Sequence, residues 1–138
     1  NIQFNVPKNL CIIGMMNTAD RSLAMIDYAL RRRFSFFNME PGFNSDGFRK
    51  YQSGLDNEIF DDLIRLMREL NKDIANDSSL GPGFYIGHSY FCGQTKCTEE
   101  WMREVVEYDI IPMLNEYWFD EPTQLQKWEN NLRGVFDG

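Results

Sequence analysis

Ile12-Ile13-Gly14-Met15-Met16-Asn17-Thr18-Ala19-Asp20-Arg21-Ser22, followed by Arg31-Arg32-Arg33-Phe34, is the stretch whose reading decides the fold. Leu10 to Met16 is apolar without alternation, the pattern of a strand covered on both faces of a parallel sheet. An amide, a carboxylate and guanidinium groups follow at once. In open α/β sheets ligands sit beyond the carboxyl ends of the strands, so these polar residues are site candidates. Hydrolysis of a nucleoside triphosphate suits the set, because an Asn amide can orient water near the γ-phosphate and an Arg guanidinium can absorb developing charge.

Working outward, a short helix is expected after this strand. Asp20 or Ser22 can cap it, and Leu23, Ile26 and Leu30 recur at spacings of three and four to form one apolar face. Phe34 to Met39 is a second short strand candidate. Successive helical residues turn by about 100°, so three consecutive arginines cannot all aim at one phosphate. Arg31 follows Asp27 by four positions, the favourable orientation for a helix-surface ion pair, and is assigned to structure. Arg32 and Arg33 lie at the helix end, where cations also suit the dipole. Taken singly, Asn17 could serve only its own loop and Asp20 only a helix cap.

Met16-Asn17-Thr18-Ala19-Asp20-Arg21-Ser22, with Asp27-Tyr28-Ala29-Leu30-Arg31-Arg32-Arg33-Phe34 behind it, resembles the McrB family, the GTP-hydrolysing AAA+ motor subunits of modification-dependent restriction systems. Ile86-Gly87-His88-Ser89-Tyr90-Phe91 and Ile111-Pro112-Met113-Leu114-Asn115-Glu116-Tyr117-Trp118 resemble that family's C-terminal helical region. The resemblance implies that Asn17 is the sensor I residue reading the γ-phosphate. It implies that Asp20 holds the catalytic water or an adjacent basic group, that Arg21 anchors this arrangement or bridges to a neighbouring subunit, and that Arg32 and Arg33 are arginine fingers acting in trans. His88 stands where many AAA+ relatives carry a basic sensor II residue; it is a nucleotide-binding candidate, against the alternative of a histidine bonded within its own lid.

The expected fold class is α/β plus an all-α lid. Residues 1–41 would be the C-terminal portion of an AAA+ α/β core, strand-helix-strand, and residues 42–138 a helical lid. No G-x-x-x-x-G-K-[ST] loop occurs in the 138 residues, and phosphate affinity in such motors comes mainly from that loop and its Mg²⁺ ligands. The chain thus reads as the C-terminal piece of a larger motor, inactive alone. By the same resemblance GTP and Mg²⁺ are the cofactors of the full-length protein. Its partners would be other copies in a ring, an McrC-type nuclease, and modified DNA held by a separate N-terminal domain.

Composition is that of a globular chain, with 43% hydrophobic and 25% charged residues. The 14 basic and 21 acidic residues leave a net charge of −7, which opposes non-specific attraction to a phosphate backbone. No apolar run approaches the roughly 20 residues that span a bilayer. Cys11, Cys92 and Cys97 are odd in number, and Cys92 and Cys97 lie near His88 without four ligands at zinc spacing. Reduced thiols in a cytoplasmic protein are the reading.

Residues 41–56 mix Gly, Asn, Ser and Asp and read as a loop leading into the helical part. Ile59, Phe60, Leu63, Ile64, Met67, Leu70 and Ile74 form a helical stripe of about five turns, opposite Asp61, Arg65, Arg68, Lys72 and Asp73. Leu80-Gly81-Pro82-Gly83 breaks the chain. Thr98 caps a helix that Pro112 ends or kinks, and Pro122 opens a last helix with Leu125, Trp128 and Leu132 inward. Phe84, Tyr85, Tyr90 and Phe91 read as packing residues. Two other functions fit parts of the pattern: an AAA+ ATPase of the MoxR or dynein-related kind, and an autonomous helical interaction domain. A phosphate-binding loop upstream would separate the last from the motors.

Overall fold

The longest element follows directly from the stripe. In the computed structural model, which describes residues 5–17, 19 and 28–137, α3 spans Glu58–Asn76. Asn57 caps it, its side-chain oxygen accepting the Phe60 N–H at 2.9 Å. Phe60, Leu63, Ile64, Met67, Leu70 and Ile74 have no appreciable exposure. Burying a large apolar side chain contributes about 1.5–3 kcal/mol, so this face is the backbone of the core.

Every regular element among the described residues is helical. α1 (Tyr28–Arg31) lies in the N-terminal arm. A 3₁₀ turn at Gly42–Asn44 leads into α2 (Asp46–Leu55). After α3 come 3₁₀ turns at Pro82–Phe84 and His88–Phe91, then α4 (Glu99–Glu104), a π turn (Val105–Ile110), α5 (Ile111–Tyr117) and α6 (Pro122–Gly134). The buried core draws on Phe43 and Phe48 before α3 and on Ile86, Phe91, Met102, Val106, Ile110, Leu114, Trp118, Trp128 and Leu132 after it. Of the four aromatics expected to pack, Phe91 is buried, Tyr85 packs on the core and Phe84 meets Tyr117 edge-on at 5.3 Å, whereas Tyr90 is 38% exposed.

Three expectations need correction. Residues 41–56 are not a loop: α2 fills most of them, capped by Ser45, whose hydroxyl accepts the Phe48 N–H at 3.2 Å. Phe48, Tyr51 and Leu55 point to the core at spacings of three and four, a stripe diluted by Gly47 and Gly54. The strands expected at Leu10–Met16 and Phe34–Met39 are also absent from the described residues, and the two segments form no ladder with each other. A strand exists only through its ladder, and here Ile13 and Met15 are 94% and 100% exposed. The strand-helix-strand part of the expected fold class is therefore not seen. Of the helix between those segments, Asp20, Ser22, Leu23 and Ile26 lie outside the described residues.

The third concerns Pro112, expected to end or kink its helix: it does not end it, and the distortion that accompanies it is a wider turn. α4, the π turn and α5 run on as one rod, with right-handed helical dihedrals at Glu104, Val105, Ile110 and Ile111. A proline inside an α-helix lacks an N–H and its ring crowds the preceding turn. The chain answers with a wider turn before it, in which the Ile111 N–H bonds the Val106 carbonyl five residues back. Thr98 caps the rod as expected, accepting the Trp101 N–H at 3.2 Å. Gly81, at φ 84°, makes the break after α3, a conformation that glycine adopts without steric cost.

Two carboxylates one turn apart on α3 and its end fasten the C-terminal half. Asp77 accepts the Trp118 indole N–H at 2.8 Å, and also the Ser79 and Leu80 N–H groups. Asp73 accepts the Trp128 indole N–H at 3.0 Å, with Lys127 at 2.9 Å and Gln124 at 3.3 Å. The Trp118 bond holds the Asp77 carboxyl below its ordinary value. Burial works against the charge on Asp73, but the bonds from Lys127, Trp128 and Gln124 outweigh it and its value is lowered too. Arg133 grips Glu107 through two bonds of 2.7 and 2.9 Å, lowering that carboxyl likewise.

One polar side chain sits in the apolar stripe. Asn71 is 8% exposed; its amide donates to the Ile86 carbonyl at 2.9 Å and its oxygen accepts the Ile86 N–H at 2.8 Å. Asn71→Leu leaves both groups of Ile86 buried without partners, at about 1–3 kcal/mol each. Urea unfolding should therefore show a loss of at least about 2 kcal/mol, whereas the exposed Asn130→Ala should stay within about 0.5 kcal/mol; equal effects would contradict the assignment.

Acid provides a second check. A carboxyl whose folded pKa is depressed contributes stability that is complete above its unfolded value, about 3.9 for Asp, and is lost as pH falls through the lower folded value. Stability measured by denaturant should drop below about pH 4, with tryptophan fluorescence changing as the indoles lose their acceptors. The pair Asp73→Asn with Asp77→Asn should flatten that drop; an unchanged acid profile would rule out these carboxylates as its source.

Candidate functional site

The histidine named from sequence is a fastening. The loop that carries it begins at Ile86, held by Asn71, and continues into the 3₁₀ turn His88–Phe91, anchored by the buried Phe91. His88 Nδ1 accepts the Gly42 N–H at 2.9 Å, across 46 positions of sequence. An Nδ1 that accepts carries no proton, so in this arrangement the ring proton sits on Nε2. The ring is framed edge-on by Phe48 at 5.6 Å and Phe43 at 6.1 Å.

Gly42 is required by this approach. A Cβ there would stand 2.7 Å from His88 Cε1 and 2.9 Å from Nε2, closer than carbon contacts allow. The neighbouring residues are held as well: Arg68 Nη2 donates to the Phe43 carbonyl at 2.7 Å, and the Ser45 hydroxyl donates to the Gly42 carbonyl at 2.8 Å. Arg68 Nε is buried with no partner among the described residues, a cost of about 1–3 kcal/mol that the other contacts of this side chain must offset. Sequence reasoning placed Arg68 on a solvated face and missed this role, since nothing local marks a bond to a carbonyl 25 residues earlier.

The remaining candidates lie in the arm. Asn17 is exposed, and its side-chain oxygen accepts the Ala19 N–H at 3.1 Å, a local Asn turn. Arg32 and Arg33 are exposed in the turn after α1. Arg31 lies over the Phe36 ring, 5.9 Å from its centre; Asp27, its expected partner, and Asp20 and Arg21 lie outside the described residues. The bonds of Asn17 to Ala19 and of His88 to Gly42 do not join the two candidates. Two open grooves mark the surface, one lined by Gly47, Lys50, Tyr51, Gly54, Leu55, Gln94 and Thr95, the other by Glu99, Glu100, Arg103, Glu104, Glu107 and Tyr108. Neither takes in Asn17, Arg32, Arg33 or His88.

Neither Cys92 nor Cys97 is activated. Burial pushes Cys97 up to about 11 and raises Cys92, whose sulfur donates to the His88 carbonyl at 3.3 Å. A thiol raised in this way is a poor metal ligand and nucleophile at neutral pH. Among the described residues no group of three or more His, Cys, Asp or Glu is placed to hold a metal ion, and no helix is long and apolar enough to cross a membrane.

A helical module built on one long helix, with a loop pinned to its own entry segment, is the class of structure defined so far: an α-helical lid. Residues 62–126 match the family described as the McrB alpha-helical lid domain and belong to it. The chain is also 49% identical to the type IV methyl-directed restriction enzyme EcoKMcrB subunit of Escherichia coli K12, over 96% of its own length. It spans about 30% of that relative. A match over 96% of the chain leaves out only about six residues, so the likeness reaches beyond the lid into the arm that carries Asn17 and the arginines.

Gly42→Ala is the direct test of the fastening. The added methyl should push the imidazole away and cost roughly 1–3 kcal/mol, as overpacking does. Gly54→Ala, with open space at the same atom, should be neutral or slightly stabilising, as alanine is favoured over glycine in helices. Equal melting temperatures for the two variants would contradict the geometry.

Proposed function

We propose that this chain is the C-terminal part of a GTP-hydrolysing AAA+ motor subunit of a modification-dependent DNA restriction system. The observation that carries the reading is the 49% identity across 96% of the chain to a methyl-directed restriction enzyme subunit, with the McrB-type lid on residues 62–126. Residues 1–41 are the last portion of the α/β core and residues 42–138 the lid. The full motor works in the cytoplasm as a ring of copies, binds GTP and Mg²⁺, acts with an McrC-type nuclease, and reads modified DNA through a separate domain.

In this division of roles Asn17 faces the γ-phosphate of its own subunit and positions the attacking water. Asp20 holds that water or an adjacent basic group, and Arg21 anchors the arrangement or bridges to a neighbouring subunit. Arg32 and Arg33 reach the neighbour's nucleotide and neutralise charge as the phosphoryl group leaves. Their exposure after the short α1 leaves them accessible to a second subunit. His88, engaged through Nδ1 by the Gly42 N–H, is tied to the lid's own entry segment.

The test is made in the full-length motor. Asn17→Ala and Arg32→Ala or Arg33→Ala should each reduce hydrolysis with the lid still folded; an arginine finger is worth about 10³–10⁵ in rate. Arg31→Ala should be much milder, since an exposed cation over a ring contributes only about 0.5–1 kcal/mol. Mixing finger-deficient with Asn17-deficient subunits should restore part of the activity at interfaces that combine an intact sensor with an intact finger. An Arg31 defect as large as the others, or no recovery in verified mixed rings, would sink the trans assignment. The 138-residue chain alone should give flat calorimetry with GTP and Mg²⁺; micromolar binding would overturn the division between binding loop and late-acting residues.

A further inference from the structure

We propose that His88 serves nucleotide hydrolysis as a positioning residue, acting through Nδ1 and the Gly42 N–H it holds, and not as a ligand of the nucleotide. The hydrolytic part of this rests on the motor reading above; the fastening itself does not.

Three side chains converge on two backbone residues at the entry to the helical body. His88 takes the Gly42 N–H, Ser45 the Gly42 carbonyl, and Arg68 the Phe43 carbonyl. Each comes from a different place in the chain: the loop after α3, the cap of α2, and α3 itself. Phe43 is 2% exposed, so its carbonyl has little access to water and its partner must come from the protein; Gly42 is half-buried. The Gly42 N–H meets the ring at Nδ1, and a Cβ on Gly42 would stand 2.7 Å from Cε1 and 2.9 Å from Nε2, so backbone and imidazole are in close contact.

What is fastened is the point where the arm joins the lid. Pro41, with φ −53° and ψ 127°, is extended, and Arg33 lies only eight residues before it. With Gly42 and Phe43 held, the direction in which the chain leaves the lid is set by α3 and the His88 loop. Released, the arm and its arginines sample more directions while the phosphate-binding machinery is untouched. The expected signature is a fall in kcat with KM little changed, because misplacing a reacting group lowers the fraction of productive complexes.

Two conservative substitutions separate the two edges of the ring. Asn places an acceptor near the position of Nδ1, whereas Gln reaches to that of Nε2. In the 138-residue chain, amide hydrogen exchange at Gly42 should quicken about five- to tenfold in His88→Ala and His88→Gln, the factor matching one ordinary net hydrogen bond. It should stay near the wild-type rate in His88→Asn. In the full motor, His88→Ala and His88→Gln should lower kcat about tenfold with KM within about twofold, and His88→Asn should restore kcat. Activity retained by His88→Gln but lost in His88→Asn, or a large rise in KM in His88→Ala, would make His88 a nucleotide ligand and overturn the proposal. Unchanged Gly42 exchange in all three variants would overturn the fastening. A full-length protein that hydrolyses no nucleotide would remove the motor reading and the hydrolytic role with it, while the exchange pattern still decides the fastening.

Discussion

Asn71 is the residue on which the arrangement of the lid depends. A hydrogen bond in a dry core is valuable mainly because its absence is costly, and the Asn71 amide gives Ile86 a partner for both of its backbone groups. That double bond fixes the loop after α3 in register against the helix. Phe91 then falls into the core, and His88 falls opposite Gly42. A hydrophobic stripe alone would hold a loop loosely, because apolar contacts have no direction. The amide supplies the direction, and α3 is thereby both the core and the ruler for what packs on it.

The C-terminal half uses the same logic with charge. Asp73 and Asp77 lie four residues apart and so share a side of the helix; each receives an indole N–H from a tryptophan whose ring is otherwise buried. A buried indole donor without an acceptor is penalised, so Trp118 and Trp128 can enter the core only at these two places. Pro112 lies on the rod before Trp118, and the π turn lets Leu114 and Trp118 stay inward past it. Widening one turn costs less than breaking the rod because the apolar face remains continuous on both sides.

Much of this was legible from residue spacing. The α3 stripe, the Thr98 cap, the Gly81-Pro82 break and the inward Trp128 and Leu132 all rest on local rules, and the structure shows them. α2 was hidden because Gly47 and Gly54 thin its pattern, although Ser45 three residues before Phe48 was a usable cap signal. Asn71 was hidden for a different reason: a polar residue beside a stripe looks solvated until its partner, 15 residues away, is known. The Gly42–His88 bond spans 46 residues and leaves no local trace. The strands read at Leu10–Met16 and Phe34–Met39 show the limit from the other side, because a strand is a property of its neighbours as much as of its own residues.

That limit bears on how the two parts of the chain differ. From Phe43 onward the large apolar residues are mostly buried, while Ile13, Met15, Phe37 and Met39 are 89% or more exposed. Isolated exposed apolar residues are ordinary, but a run of them in a soluble protein marks a surface meant to be covered. On the proposed reading the cover is the rest of the motor's sheet, and the segment gains its strand form only there. The lid, by contrast, satisfies its own core. The bonds to Gly42 and Phe43 hold the exposed segment to this self-sufficient body at the point where the two meet.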